Sequence, residues 1–212
     1  MNDKRFIVEV CCESVYSTLV AQKCGAGRVE FCDNLAEGGT TPSMAQIVMA
    51  REQLAIDLYV IIRPRGGDFV YDDTEFAIMQ DDIRMCGETG CDGVVIGMLH
   101  ADGTVDKPRC AELVSIAKGY GMGVTFHRAF DVCADLDGAL EEIIALGCDR
   151  ILTSGGKAGA PEGVGELRRL IEKAAGRIII MPGAGITPEN AGEVIKATGC
   201  TQMHGTFRSK YG

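Results

Sequence analysis

The 212-residue chain contains no tryptophan, only 3 histidines and 6 prolines, and no long apolar run. Its apolar stretches, such as Leu58–Ile62 and Ile178–Met181, fall far below the roughly 18 residues a spanning helix needs, so no membrane span is expected. Basic charge is also short: 21 Lys+Arg stand against 30 Asp+Glu, a formal net charge of −9. Nucleic-acid binders carry a basic patch, so no nucleic-acid partner is expected. An anionic small molecule stays compatible, because a few placed arginines set the field locally. The opening MNDKRFIVEV holds no apolar signal core, and the chain is expected in the cytoplasm. There is no C-x-x-C pair and no H-x-x-E-H cluster, which disfavours a dedicated structural zinc site.

Cysteine and glycine, by contrast, are plentiful, at 10 and 28. Cytosolic thiols stay reduced, so a disulfide framework is not expected. Cys24, Cys86, Cys91, Cys110, Cys148 and Cys200 flank or lie within apolar segments and read as small buried hydrophobes.

Short β-branched runs alternate with helical periodicity along the whole chain. Strands are predicted near Phe6–Cys11, Arg28–Cys32, Leu58–Arg63, Gly93–Gly97, Gly123–His127, Arg150–Ser154, Arg177–Met181 and Thr201–His204. Helices are predicted over Ser43–Leu54, Asp73–Glu88, Asp135–Leu146, Pro161–Ala175 and Pro188–Thr198, several opened by proline and closed by glycine. Repeated βα units require a parallel sheet covered by helices. Eight even units with no linker and no G-x-G-x-x-G after the first strand favour one domain over 1–212, a small (β/α)8 TIM barrel, over an open doubly wound sheet. Helix-to-strand connections are terse, whereas strand-to-helix connections such as Arg63–Thr74, Met98–Lys107 and Ser154–Pro161 are long and polar. A barrel's site lies on that second face. Only Gly205–Gly212 follows the eighth strand, too little for a closing helix. Either the chain is cut, or another copy covers the outer face; a homo-oligomer is the expectation.

Two segments echo each other, Val8-Glu9-Val10-Cys11 and Val29-Glu30-Phe31-Cys32. Strand alternation turns Glu9, Cys11, Glu30 and Cys32 to one face, the barrel interior, and the valines and Phe31 to the other. Cys11 and Cys32 then stand near the upper rim, where soft sulfur ligands suit Cu(I) or zinc; small side chains filling a tapering barrel are the alternative. Buried carboxylates need partners, and Arg63, followed by Arg65 and Asp68, is predicted to supply one. The same arginines form a fork suited to a carboxylate or phosphate. His127 ends the fifth strand at the rim, as a general acid or base or a metal ligand, with Arg128 and Asp131 in the next loop. Glycine turns at Ser154–Lys157 and at Gly183 and Gly185 offer backbone N–H groups to an anion. His204 is a further candidate at the rim. No lysine lies on a predicted strand, which disfavours a Schiff-base aldolase.

The stretches EVCCES, GRVEFCDNLAEGGTTPS, IIRPRGGDFVY, VTFHRAFD, ILTSGG and MPGAGI closely resemble the copper homeostasis protein CutC family, from Phe6 to about His204. The resemblance implies a cytoplasmic TIM barrel concerned with copper tolerance. It implies Cu(I) held by cysteines, which by position are Cys11 and Cys32; Cys12 has the outward parity. A soft Cu(I) site takes two or three sulfur or imidazole ligands, and His127 is the candidate where a third is needed. The alternative is a TIM-barrel enzyme for a small anionic metabolite. There Glu9, Glu30 or His127 is the acid/base, and Arg63, Arg65, Asp68, Arg128, Ser154, Gly183, Gly185 and His204 bind the ligand.

Overall fold

Eight parallel strands, each but the last followed by a helix, build the chain. A computed structural model describes residues 6–207. The order is β1 (Ile7–Cys12), α1 (Val15–Lys23), β2 (Arg28–Phe31), α2 (Met44–Gln53), β3 (Asp57–Ile61), α3 (Asp73–Thr89), β4 (Gly93–Ile96) and α4 (Lys107–Gly119). It continues with β5 (Gly123–Phe126), α5 (Leu136–Leu146), β6 (Arg150–Thr153), α6 (Val164–Ala174), β7 (Ile179–Pro182), α7 (Ala191–Thr198) and β8 (Gln202–Gly205). The sheet runs β7-β6-β5-β4-β3-β2-β1-β8. The end of β8 returns beside β7, where a Cβ on Gly183 would lie 3.3 Å from that of His204. The result is a nearly closed TIM barrel, the expected fold.

Two helices escaped the sequence reading. α4 starts at Lys107-Pro108, with the Asp106 side chain accepting the Arg109 N–H. α1 is capped reciprocally by Ser14 and Ser17, a cap worth about 1 kcal/mol. Its buried residues are Thr18 and Ala21, while Tyr16 and Val20 face out. It therefore has no apolar stripe to read.

Outward strand residues such as Val29, Phe31, Leu58, Val60, Val94 and Phe126 are fully buried against the helices. At roughly 1.5–3 kcal/mol for each large apolar side chain, this seam is the main source of stability. Of the six cysteines read as buried hydrophobes, five join it, and Cys24 is exposed at the end of α1.

The barrel interior is smaller and more polar. A separate apolar cluster of Cys11, Cys32, Tyr59, Ile61 and Val95 lies there, confirming the parity read for β1 and β2. The floor is the Tyr59 ring, with the Arg28 and Arg150 guanidinium carbons 5.0 and 4.8 Å from its centroid. Gly93 and Gly123 make room for it, since a Cβ on either would fall 2.1 or 2.0 Å from Tyr59 atoms. Gln202 Oε1 accepts from Arg28 at 2.7 Å and from Arg150 at 3.0 Å.

After β8 only Thr206 and Phe207 are described; residues 208–212 lie outside. The outer face beside β1 is an open groove of about 780 Å3, lined by Val8, Val10, Tyr16, Val20 and Phe207 among others.

Candidate metal centre

Register assembles the interior site. β1 lies between β2 and β8, pairing Glu9 with Arg28 on one side and with His204 on the other, and Cys11 with Glu30. These inward side chains therefore meet on three adjacent strands. Arg28 donates Nε–H to Glu9 Oε2, and His204 Nδ1 lies 2.8 Å from Glu9 Oε1. His204 Nε2 lies 3.6 Å from Glu30 Oε2. Above them the Sγ atoms of Cys11 and Cys32 are 3.5 Å apart. Ligand atoms of Cys11, Glu30 and His204 all fall within 4.8 Å of one another.

The electrostatics follow from burial and pairing. Burial alone raises the Glu9 carboxyl, but the His204 hydrogen bond and the Arg28 charge outweigh it and bring the pKa down to about 2. Burial, helped by the Glu9 charge, pushes Glu30 up against the pull of His204. His204 is raised: burial opposes its charge, but Glu30 and Glu9 prevail. The Cys32 thiol, burial and Glu30 drive Cys11 far above the ordinary thiol range. Cys11 is therefore a thiol until something takes its proton. His204 gives Nδ1–H to Glu9 and turns Nε2 toward Glu30, so Nε2 becomes free to ligate once the charged ring gives up its second proton. A carboxylate holding one ring nitrogen so that the other can ligate is a recurring arrangement behind metal sites.

Several expected partners stand elsewhere. Arg63 does not reach Glu9 or Glu30; Arg28 and His204 take that place. Arg63 instead donates to the carbonyls of Glu37 at 2.7 Å, Gly39 at 2.9 Å and Gly67 at 2.8 Å, tying two loops together. Arg65 pairs with Glu75 at 2.6 Å and with Asp68 at 3.0 Å at the surface, so neither Arg65 nor Asp68 joins the interior. His127 does not join the cysteines as a third ligand. Its Nδ1 accepts the Ala129 N–H at 3.1 Å, and burial, with the charge of Arg63, lowers its pKa to about 3. The ring is neutral at physiological pH.

The glycine turn after β6 is occupied by the chain itself. Asp131 accepts from the N–H groups of Ser154 and Gly156, each at 3.0 Å, and from the Thr153 hydroxyl. Arg128 closes on Asp131 at 2.8 Å. The anion in the turn after β6 is thus an internal carboxylate. Gly183 donates its N–H to Thr153 O at 3.0 Å, and a Cβ there would sit 2.4 Å from Leu152; its smallness serves packing. Gly185 O accepts from Asn190 at 2.8 Å. Arg28 was missed, although it shares the parity of Glu30 and Cys32; a charge at the first position of a strand reads as an exposed end.

The sequence model of the CutC family matches residues 6–209. A CutC family protein of Chromobacterium violaceum is 50% identical over 96% of this chain and 82% of its own length. The human copper homeostasis protein cutC homolog is 46% identical over 96% of this chain and 74% of its own. Among solved structures, a CutC protein from Streptococcus agalactiae superposes with a TM-score of 0.90 at 38% identity, covering 95% of this chain and 98% of that one. An aldolase at 15% identity and TM-score 0.74 shares the fold alone. The chain belongs to the CutC family.

Proposed function

We propose that this protein serves copper homeostasis in the cytoplasm by binding one Cu(I) between Cys11 and Cys32, with the His204 imidazole as third ligand. The observation that carries the reading is the sulfur pair, 3.5 Å apart, with ligand atoms of Glu30 and of the Glu9-held His204 within 4.8 Å of Cys11. Thiolates and imidazole favour soft, low-coordinate Cu(I) over hard cations. At a metal–sulfur reach of about 2.3 Å, both sulfurs can bond one ion. Loading takes the thiol protons, so affinity rises with pH. A cytosolic setting keeps the pair reduced. A second copy of the chain over the apolar groove beside β1 belongs to the same reading; light scattering showing only monomer would remove that part.

The enzyme alternative gains no support from Arg65, from Arg128 or from His127 as a base. Arg65 and Arg128 are spent on the chain's own carboxylates, and His127 is too weak a base at neutral pH.

The test is an anaerobic Cu(I) titration against a competing chelator, with zinc as rival ion. One tight equivalent, unaffected by zinc and lost in Cys11→Ser/Cys32→Ser, supports the reading. Several weak equivalents unchanged in the double variant would overturn it, since scattered thiols would then be responsible. Zinc displacing copper would overturn the choice of ion.

A further inference from the structure

Beyond the cysteine pair, the barrel mouth holds a buried cation with no carboxylate in contact, although Asp68 lies within range of its charge. Arg63 is only 4% exposed, yet it forms no ion pair among the described residues; its Nη atoms meet neutral carbonyls and its buried Nε–H meets nothing. The other wholly buried arginine, Arg28, has Glu9. A buried guanidinium without a carboxylate is costly, and native structures supply it a partner.

Two more orphaned donors lie nearby. His127, also 4% exposed, accepts at Nδ1 and so carries its proton on Nε2, which is buried and unpartnered. Tyr71, 5% exposed, has a buried hydroxyl that takes a hydrogen bond from the Arg63 side chain and finds no acceptor for its own proton. It lies beside Arg63, whose charge pulls down a phenol that burial pushes up. Phe69, half-buried, gathers the group: its ring centroid is 5.1 Å from the Arg63 guanidinium carbon and 5.0 Å from the His127 ring. Each unmet buried donor forfeits roughly 1–3 kcal/mol, and three in one neighbourhood ask for one shared acceptor.

We propose that Arg63 Nε, His127 Nε2 and Tyr71 Oη form a binding site for a small monocarboxylate, roofed by Phe69. The occupant must accept and not donate, since all three protein atoms offer hydrogen. It must bring one negative charge, since the site holds one positive charge and two neutral donors. A phosphate dianion would leave a second charge buried without compensation. A carboxylate supplies two oxygens with about four lone-pair positions, enough for three donors. The site goes beyond the Cu(I) reading and stands without it.

The experiment follows binding of sodium formate, acetate and pyruvate to the full chain. It uses calorimetry and the 15N imidazole signal of His127, at constant ionic strength, with chloride and inorganic phosphate as controls. Saturable carboxylate binding that moves the His127 signal is expected, with phosphate at least about tenfold weaker. Tyr71→Phe keeps the ring and removes the hydroxyl. His127→Asn keeps an acceptor for the Ala129 N–H and removes Nε2–H. Each is expected to weaken binding about tenfold, the worth of one hydrogen bond to a charged group. Both are less disruptive than Arg63→Gln, which also unties two loops. The proposal is overturned by no saturable signal up to about 50 mM, well above a millimolar Kd, or by wild-type affinity in both variants. Phosphate binding as tightly as acetate overturns the carboxylate assignment. Cys11→Ser/Cys32→Ser is expected to bind carboxylate unchanged; dependence on the cysteines would overturn the placement.

Discussion

Glu9 and His204 join the first and last strands of the barrel by a 2.8 Å contact between carboxylate and imidazole Nδ1, and the same carboxylate neutralises the wholly buried Arg28. Glu9 thus holds a structural charge and orients the His204 ring at once. Glu9→Gln leaves Arg28 uncompensated, and breaking a buried pair costs about 3–5 kcal/mol. It also frees the His204 ring, and losing such an orienting partner costs about 10–100-fold in metal affinity. Urea unfolding and the Cu(I) titration read the two effects separately. Full copper affinity in a destabilised Glu9→Gln protein would detach His204 from the metal.

His127 predicts an acid sensitivity of its own. Its folded pKa is lowered to about 3 from the ordinary 6.5, so below pH 6.5 the unfolded chain takes up a proton that the folded chain refuses. Stability from this group is complete above pH 6.5 and falls as pH drops toward 3. Between pH 6.5 and 5 the loss is about 2 kcal/mol at 1.36 kcal/mol per unit. His204 works the other way: its raised pKa gives stability present below 6.5 and lost as pH rises through its folded value. His127→Asn is expected to flatten the fall between pH 6.5 and 5 in urea midpoints. An unchanged slope would mean the ring is protonated in the folded protein.

The interior set was legible because period-two alternation is a backbone property: Glu9, Cys11, Glu30 and Cys32 had to share a face once β1 and β2 were strands. The eight-unit repeat was legible because every described α-helix but α2 ends at or within two residues of a glycine. What could not be read was pairing across the barrel. That Glu9 meets Arg28 and His204 depends on the register of β1 with two neighbours, one of them 195 positions away. Arg63 looked like the partner because it follows a strand, yet its hydrogen bonds go to loop carbonyls, which carry no side-chain signature. The turn after β6 looked vacant because its internal anion, Asp131, comes from another loop.

The floor of the barrel makes a steric prediction. A Cβ on Gly93 would lie 2.1 Å from the Tyr59 ring, and two guanidinium groups lie against that ring. Gly93→Ala should therefore destabilise by about 1–3 kcal/mol, the usual cost of overpacking. Tyr59→Leu in the same chain should recover part of it, at the expense of the cation–π contacts. Additive losses in the double variant, measured by thermal unfolding, would show that the clash relaxes elsewhere.

Asp131 is a buried carboxylate whose acceptors are saturated by the β6 turn, through Ser154 N–H, Gly156 N–H and the Thr153 hydroxyl. Its ion pair with Arg128, a half-exposed group, is worth little beside these. Asp131→Asn puts an amide where only acceptors fit and removes the charge from at least two backbone donors. At about 1.5–3 kcal/mol for a hydrogen bond to a charged group, a loss of about 2–4 kcal/mol is expected. Arg128→Ala should cost under about 1 kcal/mol. Neither change touches β1, β2 or β8, so Cu(I) affinity should hold in both. If Arg128→Ala instead matched Asp131→Asn in urea, the ion pair would be organising the turn. If added phosphate restored Asp131→Asn stability, the turn would be an external anion site that the carboxylate merely occupies.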